Sequence, residues 1–166
     1  MPVTRVSIRD AGAADAPQIA RIYNHYVTTS CVTFDTEPKS AEDRADWIAS
    51  HGPSHPVVVA EVDGQVVGFG ALSPWASRPA WHRTVEVSSY VDRDQRGRGV
   101  GRALMDALVD RARRAGHHAV IGQIVADNTP SLELSRRMGF VEVGRLREVG
   151  WKADRWHDVV MVERIL

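Results

Sequence analysis

A single cysteine, Cys31, stands in 166 residues, so no disulfide can form within the chain. Charge of neither sign is in excess: Lys+Arg and Asp+Glu both count 21, and the net charge is zero. A broad nucleic-acid or membrane-surface role needs a surplus of basic charge, so neither partner is expected. No apolar run follows Met1 and none approaches the ~18 residues of a membrane span, which points to a cytoplasmic protein. There is no repeat, low-complexity tract or linker, and residues 1–166 are expected to form one domain. The seven histidines make no metal site. His51 and His55 have i,i+4 spacing, but Gly52-Pro53 between them excludes a helix, and the adjacent His117 and His118 would point apart on a strand. Cys31 has no neighbours that mark a nucleophile and reads as a buried small residue.

What the chain does carry is a stretch rich in glycine and arginine, Gln95-Arg96-Gly97-Arg98-Gly99-Val100-Gly101-Arg102, between an expected strand and an expected helix. Alternate glycines let the backbone bend sharply and approach a ligand closely. The following helix opens with unsatisfied N–H groups and the positive end of its dipole, a ready site for phosphate. Arg96, Arg98 and Arg102 add donors suited to phosphate oxygens. The stretch therefore reads as a pyrophosphate cradle; a Gly/Arg-rich surface turn is the competing reading of so short a pattern. Two other phosphate motifs fail. A G-x-G-x-x-G fingerprint starting at Gly97 meets Arg102 where its last glycine belongs, and no G-x-x-x-x-G-K-[ST] run occurs.

Taken in order, Val3 to Arg9 alternates loosely as a strand. Asp15 is placed to N-cap a helix running to about Thr29, with Pro17 in its first turn and Ile19, Ile22, Tyr23, Tyr26 and Val27 as its apolar face. Ser40 to Asp43 caps a second helix carrying Trp47 and Ile48, closed near Gly52-Pro53. Pro56 to Val62 and Val66 to Leu72 form a hairpin about Asp63-Gly64. Ser73 to His82 is too rich in proline for regular structure. Thr84 to Val91 is the strand that enters the cradle. The helix from about Gly99 buries Val100, Leu104, Leu108, Ala112 and Ala115, and ends at basic residues before Gly116. His118 to Ala126 is a strand, Asn128-Thr129-Pro130-Ser131 caps a short helix to Met138, and strands run from Phe140 to Arg147 and from Arg155 to Leu166. Helices interleaved with strands predict a layered α/β domain, its sheet passing from antiparallel hairpins to a parallel crossover around Thr84–Ala126.

The loop Q-R-G-R-G-V-G-R resembles the acyl-coenzyme A loop of the GNAT superfamily of N-acetyltransferases, Q/R-x-x-G-x-G/A. The resemblance extends downstream, where Asn128, Ser131, Leu134, Gly139 and Phe140 fill the family's N-x-x-[AS]-x-x-L-[YH]-x-x-x-G-F element. More narrowly, the chain is similar to the phosphinothricin and methionine sulfone/sulfoximine acetyltransferases. The segments that carry this are Tyr23 to Val27, Thr33-Phe34 with Thr36-Glu37-Pro38, Gly70-Ala71 with Pro74-Trp75, Thr84-Val85-Glu86, and Gly150-Trp151-Lys152 with Arg155 to Val159.

The resemblance implies the GNAT acyltransferase fold, α/β with a central mixed sheet of six to seven strands flanked by about four helices. It also implies transfer of an acetyl group from acetyl-CoA to the primary amine of a small amino acid, by direct attack in a ternary complex, with no metal and with a homodimeric assembly. The backbone of Ser89, Tyr90 and Val91 is expected to meet the pantetheine arm, as an added strand would. Gln95, Arg96, Gly97, Arg98, Gly99, Val100, Gly101 and Arg102 would meet the pyrophosphate, and Asn128 and Ser131 the cofactor arm. Phe34, Trp75, Arg78 and Thr84 are the expected substrate residues, Arg78 because arginine binds a carboxylate bidentately. Glu86 is the expected general base. Its own setting agrees: it shares a face with Thr84, Ser88 and Tyr90, and an acid in mid-strand is disfavoured unless it faces water or has a task. A solvated Glu86, a solvated Arg78, a core Phe34 and an Asn128 that only caps its helix are the competing readings. One position departs from the pattern: Ser135 stands where the family commonly has Tyr or His to protonate the departing thiolate. Two other activities share the loop, a protein N-terminal or ribosomal acetyltransferase and a non-catalytic acetyl-CoA-binding module.

Overall fold

The computed structural model describes residues 5–166, so the start of the strand expected from Val3, at Val3 and Thr4, lies outside the described residues. The elements are β1 (Ser7–Asp10), α1 (Ala16–Thr29), α2 (Ala41–Ala49), β2 (Val57–Val62), β3 (Gln65–Pro74), β4 (Thr84–Val91), α3 (Val100–Arg114), β5 (Ala119–Val125), α4 (Thr129–Arg137), β6 (Val141–Lys152) and β7 (Arg155–Ile165). The seven strands form one sheet in the order β1-β2-β3-β4-β5-β7-β6. All neighbours are antiparallel except β4 and β5, which run parallel with α3 as the crossover between them.

Helices cover both faces, which is why β2 reads as an unbroken Val-Val-Val-Ala run with nearly every residue buried. Val58, Ala60, Val85, Val87 and Val160 pack with Leu104 and Leu108 of α3. Val59 and Phe69 meet Ile19, Ile22 and Tyr23 of α1 on the other face. Leu104, Leu108 and Phe69 are almost fully buried, each contributing about 1.5–3 kcal/mol of transfer free energy. Ala115 was expected in this core; it is the exposed C-cap of α3 instead, because the helix turns off there through Gly116 at φ 81°.

Three local expectations also change. Asp15 does not cap α1 with its side chain. A 3₁₀ turn at Ala13–Asp15 precedes the helix, and the carboxylate accepts from Gly12 N at 2.8 Å and from both terminal nitrogens of Arg9 at 2.8 Å. The Arg9 guanidinium holds the Asp15 carboxyl below its usual 3.8, against the opposing effect of burial. The stretch Ser73 to His82 is partly regular: β3 runs to Pro74, and Pro79–Trp81 makes a 3₁₀ turn. Finally, β6 continues five residues past Arg147 to Lys152. Its pairing with β7 slips between Leu146 and Gly150, where Glu148 lies at φ 52°. Asp158 secures that bulge, accepting from Glu148 N at 2.9 Å and Arg145 Nε at 2.8 Å, and the two contacts hold its carboxyl below the ordinary value. A bulge resets the two-residue alternation, so the strand's second half is invisible to a periodicity test.

Candidate active site

The sheet opens between β4 and β5. Three parallel pairs join them, Thr84–Ala119, Val85–Val120 and Glu86–Ile121, and none follows, although β4 runs on to Val91 and β5 to Val125. Each strand stays bonded on its other side, β4 to β3 as far as Gly68–Val91 and β5 to β7 as far as Val125–Val159. The two halves of the sheet therefore part like wings from Glu86 onward. Leu134 and Ser135 from α4, Met138 at its C-cap, and Val100 and Met105 from α3 line the opening, a cleft of about 1010 Å³.

The cradle loop lies at the mouth of this cleft. Gly97 and Gly99 adopt φ 73° and 82°, a left-handed conformation that costs other residues roughly 1–2 kcal/mol. A Cβ on either would meet nothing within 4 Å, so the space beside the backbone is open to a ligand. Gly99 is the N-cap of α3 and no side chain caps that helix, which leaves its first-turn N–H groups for an external acceptor. Gly101 differs from the other two. It lies inside α3, and a Cβ there would come within 3.3 Å of Leu134 Cδ2; its absence lets α4 approach α3. Gly101 therefore serves helix packing at the cleft wall, and its backbone N–H still belongs to the uncapped first turn of α3.

Of the expected cofactor residues, Ser89, Tyr90, Val91, Gln95, Arg96, Gly97, Gly99, Val100, Gly101, Arg102, Asn128 and Ser131 all line the cleft. Arg98 does not: its Nη1 donates to Gln95 Oε1 at 2.9 Å, bracing the loop. Arg102 pairs along α3 with Asp106 at 3.6 Å. Asn128 caps α4, its Oδ1 accepting from Ser131 N at 3.4 Å. The Val91 carbonyl already accepts a hydrogen bond from Tyr26 Oη. Burial pushes the Tyr90 phenol up to about 12, so it stays protonated beneath α1.

Glu86 sits at the apex, the last residue of β4 to pair with β5. Gln123 Nε2 donates to its Oε2 at 3.2 Å, fixing the carboxylate from the facing strand. Sequence reasoning passed over Gln123; the available signal is a lone amide in the apolar run Ala119-Val120-Ile121-Gly122-Gln123-Ile124-Val125. Cys31 was expected to be buried and is half-buried in the cleft wall, next to Ser30 and Val32. Ser135 is buried, and its hydroxyl donates to Leu132 O at 2.8 Å. That proton is committed to the helix backbone.

The expected substrate residues stand apart from the cleft wall. Phe34 follows α1 and lies over Gly150, where a Cβ would be 2.2 Å from its ring, and its ring centroid is 6.0 Å from that of His157. Trp75 and Arg78 belong to the segment between β3 and β4, with Arg78 exposed at the N-cap of the 3₁₀ turn. Thr84 opens β4, and its carbonyl accepts from Trp75 N at 3.4 Å. Among the described residues no group of three His, Cys, Asp or Glu side chains is placed to hold a metal ion.

A sheet parted between two parallel strands, with an uncapped helix at the mouth and a carboxylate at the apex, suits group transfer from a phosphorylated carrier. The chain belongs to the acetyltransferase (GNAT) family, whose model matches residues 19–140. It is 37% identical over 159 residues to an L-methionine sulfoximine/L-methionine sulfone acetyltransferase of Pseudomonas aeruginosa, covering 95% of this chain and 92% of the relative. A phosphinothricin acetyltransferase from Sinorhizobium meliloti, solved in complex with AcCoA, superposes with a TM-score of 0.92 at 33% identity, over 97% of this chain and 88% of that one. A structure described as a ribosomal-protein-alanine N-acetyltransferase from Brucella melitensis gives 0.94 at 36% identity, over 96% and 99%.

Proposed function

We propose that this enzyme acetylates the primary amine of a small amino acid of the phosphinothricin or methionine sulfoximine/sulfone type, with acetyl-CoA as acetyl donor. The observation that carries the reading is the parting of β4 and β5 after Glu86, which gives the phosphate-type cradle and the carboxylate opposite ends of one cleft. The cradle fits a pyrophosphate: Gly97 and Gly99 leave their backbone open, α3 is uncapped, and Arg96 and Arg102 line the approach. Acetyl-CoA, when bound, supplies the acetyl group already activated as a thioester. The chain's own residues do the rest.

An amine at neutral pH is mostly ammonium and must lose a proton before it can attack. Glu86 takes that proton, directly or through one water, while Gln123 holds the carboxylate in register with the apex. The unpaired edge of β4 beyond Glu86 accepts the pantetheine arm as a neighbouring strand would, and the amide nitrogen of Asn128 is the part of that side chain not used in capping. Arg78 recognises the substrate carboxylate, with Phe34, Trp75 and Thr84 beside it, outside the cleft wall and beyond the Glu86 apex on the N-terminal side of β4. The whole chain works as one domain in the cytoplasm, in keeping with a single cysteine that needs no oxidising compartment.

The assembly is a homodimer. Its support is the exposed apolar row Val141, Val143, Leu146 and Val149 on β6, continued by Trp151 and Trp156 whose rings lie 5.0 Å apart. A second reading, acetylation of a protein N-terminus, is favoured by the likeness to the Brucella melitensis structure. One panel separates the two: phosphinothricin, methionine sulfoximine, methionine sulfone, the common amino acids and an alanine-terminated peptide, each with acetyl-CoA, followed by release of free thiol. The amino-acid analogues should turn over with the highest kcat/KM. A peptide that exceeds them all would replace this reading with the second.

A further inference from the structure

We infer that Tyr26 is a positioning residue of the cradle, holding Arg96 and the end of β4 in place for a pyrophosphate; this rests on the reading of Gln95–Arg102 as a pyrophosphate site. Tyr26 lies near the end of α1 and belongs to the face that packs on the sheet with Ile19, Ile22 and Tyr23. Its ring is buried, meeting Tyr90 at 5.6 Å between centroids. A leucine or phenylalanine would fill such a position as well. The hydroxyl is the part that packing does not explain.

That hydroxyl sits between two groups of the site. It donates to the carbonyl of Val91, the last residue of β4, and Arg96 Nε donates to it at 3.1 Å. The direction is forced, because a guanidinium cannot accept and a carbonyl cannot donate. The chain Arg96 to Tyr26 to Val91 therefore polarises in one sense, each bond strengthening the next. The Arg96 guanidinium carbon also lies 5.1 Å from the Tyr26 ring centroid, a cation–π distance. With Nε engaged, the two terminal nitrogens have no hydrogen-bond partner among the described residues, and Arg96 lines the cleft.

Arg96 is distinguished from its neighbours by its partners. Arg98 is turned to Gln95, and Arg102 and Arg93 each lie beside an aspartate. Arg96 has no acidic partner among the described residues and lines the cleft. Its charge is uncompensated and its position is set by a phenol rather than by a carboxylate that would compete with phosphate. The same helix grips the same turn at a second point, Arg21 Nη2 to Asp92 Oδ2 at 2.8 Å. Helix α1 is thus the strut of the cradle. The loss of side-chain freedom in Arg96 falls on folding rather than on binding, which is how preorganisation raises affinity.

The test is Tyr26→Phe, which keeps the ring and removes the hydroxyl. Its KM for acetyl-CoA should rise about threefold to tenfold, the range of one neutral hydrogen bond or a little more, with kcat at saturating donor retained. With S-acetylpantetheine, which meets the end of β4 and has no pyrophosphate, KM should rise by less than about twofold. In an Arg96→Ala background the Tyr26→Phe effect should shrink below about twofold, because the two groups act as a unit. Should Tyr26→Phe fail to fold, Arg96→Lys tests the same link, keeping the charge and losing Nε; the same rise confined to acetyl-CoA is expected. Equal effects on both donors, or full multiplication with Arg96→Ala, would overturn the inference and leave Tyr26 a packing residue. If Arg96→Ala weakens acetyl-CoA and Tyr26→Phe does not, the inference alone fails. If Arg96→Ala itself has no effect on acetyl-CoA, the cradle reading fails and the inference falls with it.

Discussion

The two ends of β4 are built on different plans. At the C-terminal end the chain is tied down over a few residues: Asp92 N bonds to Val67 O at 2.8 Å, Gln95 N to Asp92 O at 2.9 Å, and Arg98 to Gln95. Two glycines in the left-handed region then deliver the backbone to α3, and α1 braces the turn through Tyr26 and Arg21. At the N-terminal end, Thr84 is approached by a segment in which Arg78 and Trp81 are exposed and Trp75 is half-buried. Phe34, on the same side of the reading, owes its place to distant strands. Lys152 Nζ donates to the carbonyls of Thr33 and Asp35, both at 2.8 Å, and Gly150 leaves room for the ring. The cradle end thus combines a locally tied turn with a brace from α1. The end proposed for the amino-acid substrate draws on three separated segments, around Phe34, Trp75 to Thr84 and Gly150 to Lys152.

Four substitutions test that division, taken from the largest expected effect. Glu86→Gln lies between the two ends and should lower kcat by ~10²–10⁴ at neutral pH, the usual range for removing a general base. Acetyl-CoA affinity should hold, and turnover should recover in part as rising pH supplies free amine. Unimpaired turnover at pH 7 would reduce Glu86 to a structural carboxylate at the fork of the sheet.

Gly99→Val tests the donor end alone. Left-handed strain of roughly 1–2 kcal/mol is affordable against a typical domain stability of about 5–15 kcal/mol, so the variant should fold. The new side chain fills the space beside the uncapped helix, and KM for acetyl-CoA should rise by tenfold or more with little change in KM for the amine. A folded Gly99→Val with unchanged donor affinity would remove the cradle from this loop.

Arg78→Ala is the mirror experiment at the acceptor end. KM for the amino acid should rise by the equivalent of roughly 1.5–3 kcal/mol, the scale of a charge-assisted hydrogen bond, and donor KM should not move. The variant should also treat an amino acid and its amide alike. An undiminished preference for the free acid would rule Arg78 out, and a rise in donor KM would show that the two ends are not independent.

Ser135→Ala is the smallest change. The hydroxyl already donates to Leu132 O, and a thiolate leaving near a pKa of about 8.5 needs little help from a strong acid. A loss of less than about tenfold in kcat is expected, under ~1.4 kcal/mol. Stopped assays at saturating acetyl-CoA read this directly, and a hundredfold loss with donor binding intact would bring the Ser135 proton into the chemistry.

Much of the fold was legible because its signals are local. The spacing of Val100, Leu104, Leu108 and Ala112 marks a helix, Asp63-Gly64 marks a two-residue turn, and Ser40 with Asp43 forms the reciprocal cap that its sequence suggests. What went unread depends on partners far along the chain. Asp15 looks like a cap until Arg9 and Gly12 take its carboxylate. The second half of β6 looks irregular until Asp158 of the neighbouring strand holds its bulge. Gly101 reads as a phosphate glycine alone, and the room it leaves for Leu134 of α4 appears only in the fold.

By itself the sequence determined the order of the elements, the loop that bends at Gly97 and Gly99, and the acid in mid-strand at Glu86. These follow from torsional freedom, helix periodicity and the two-residue repeat of a strand, properties that act within a few residues. Only the tertiary structure decided that β4 and β5 part immediately after Glu86, since that depends on β3 and β7 each keeping hold of one strand. It likewise decided that Gln123 faces Glu86 and that a phenol on α1 bridges Val91 and Arg96. Those contacts join groups 37, 65 and 70 residues apart, and no local preference can encode them; they exist because the packed sheet and its helices bring these side chains within bonding distance.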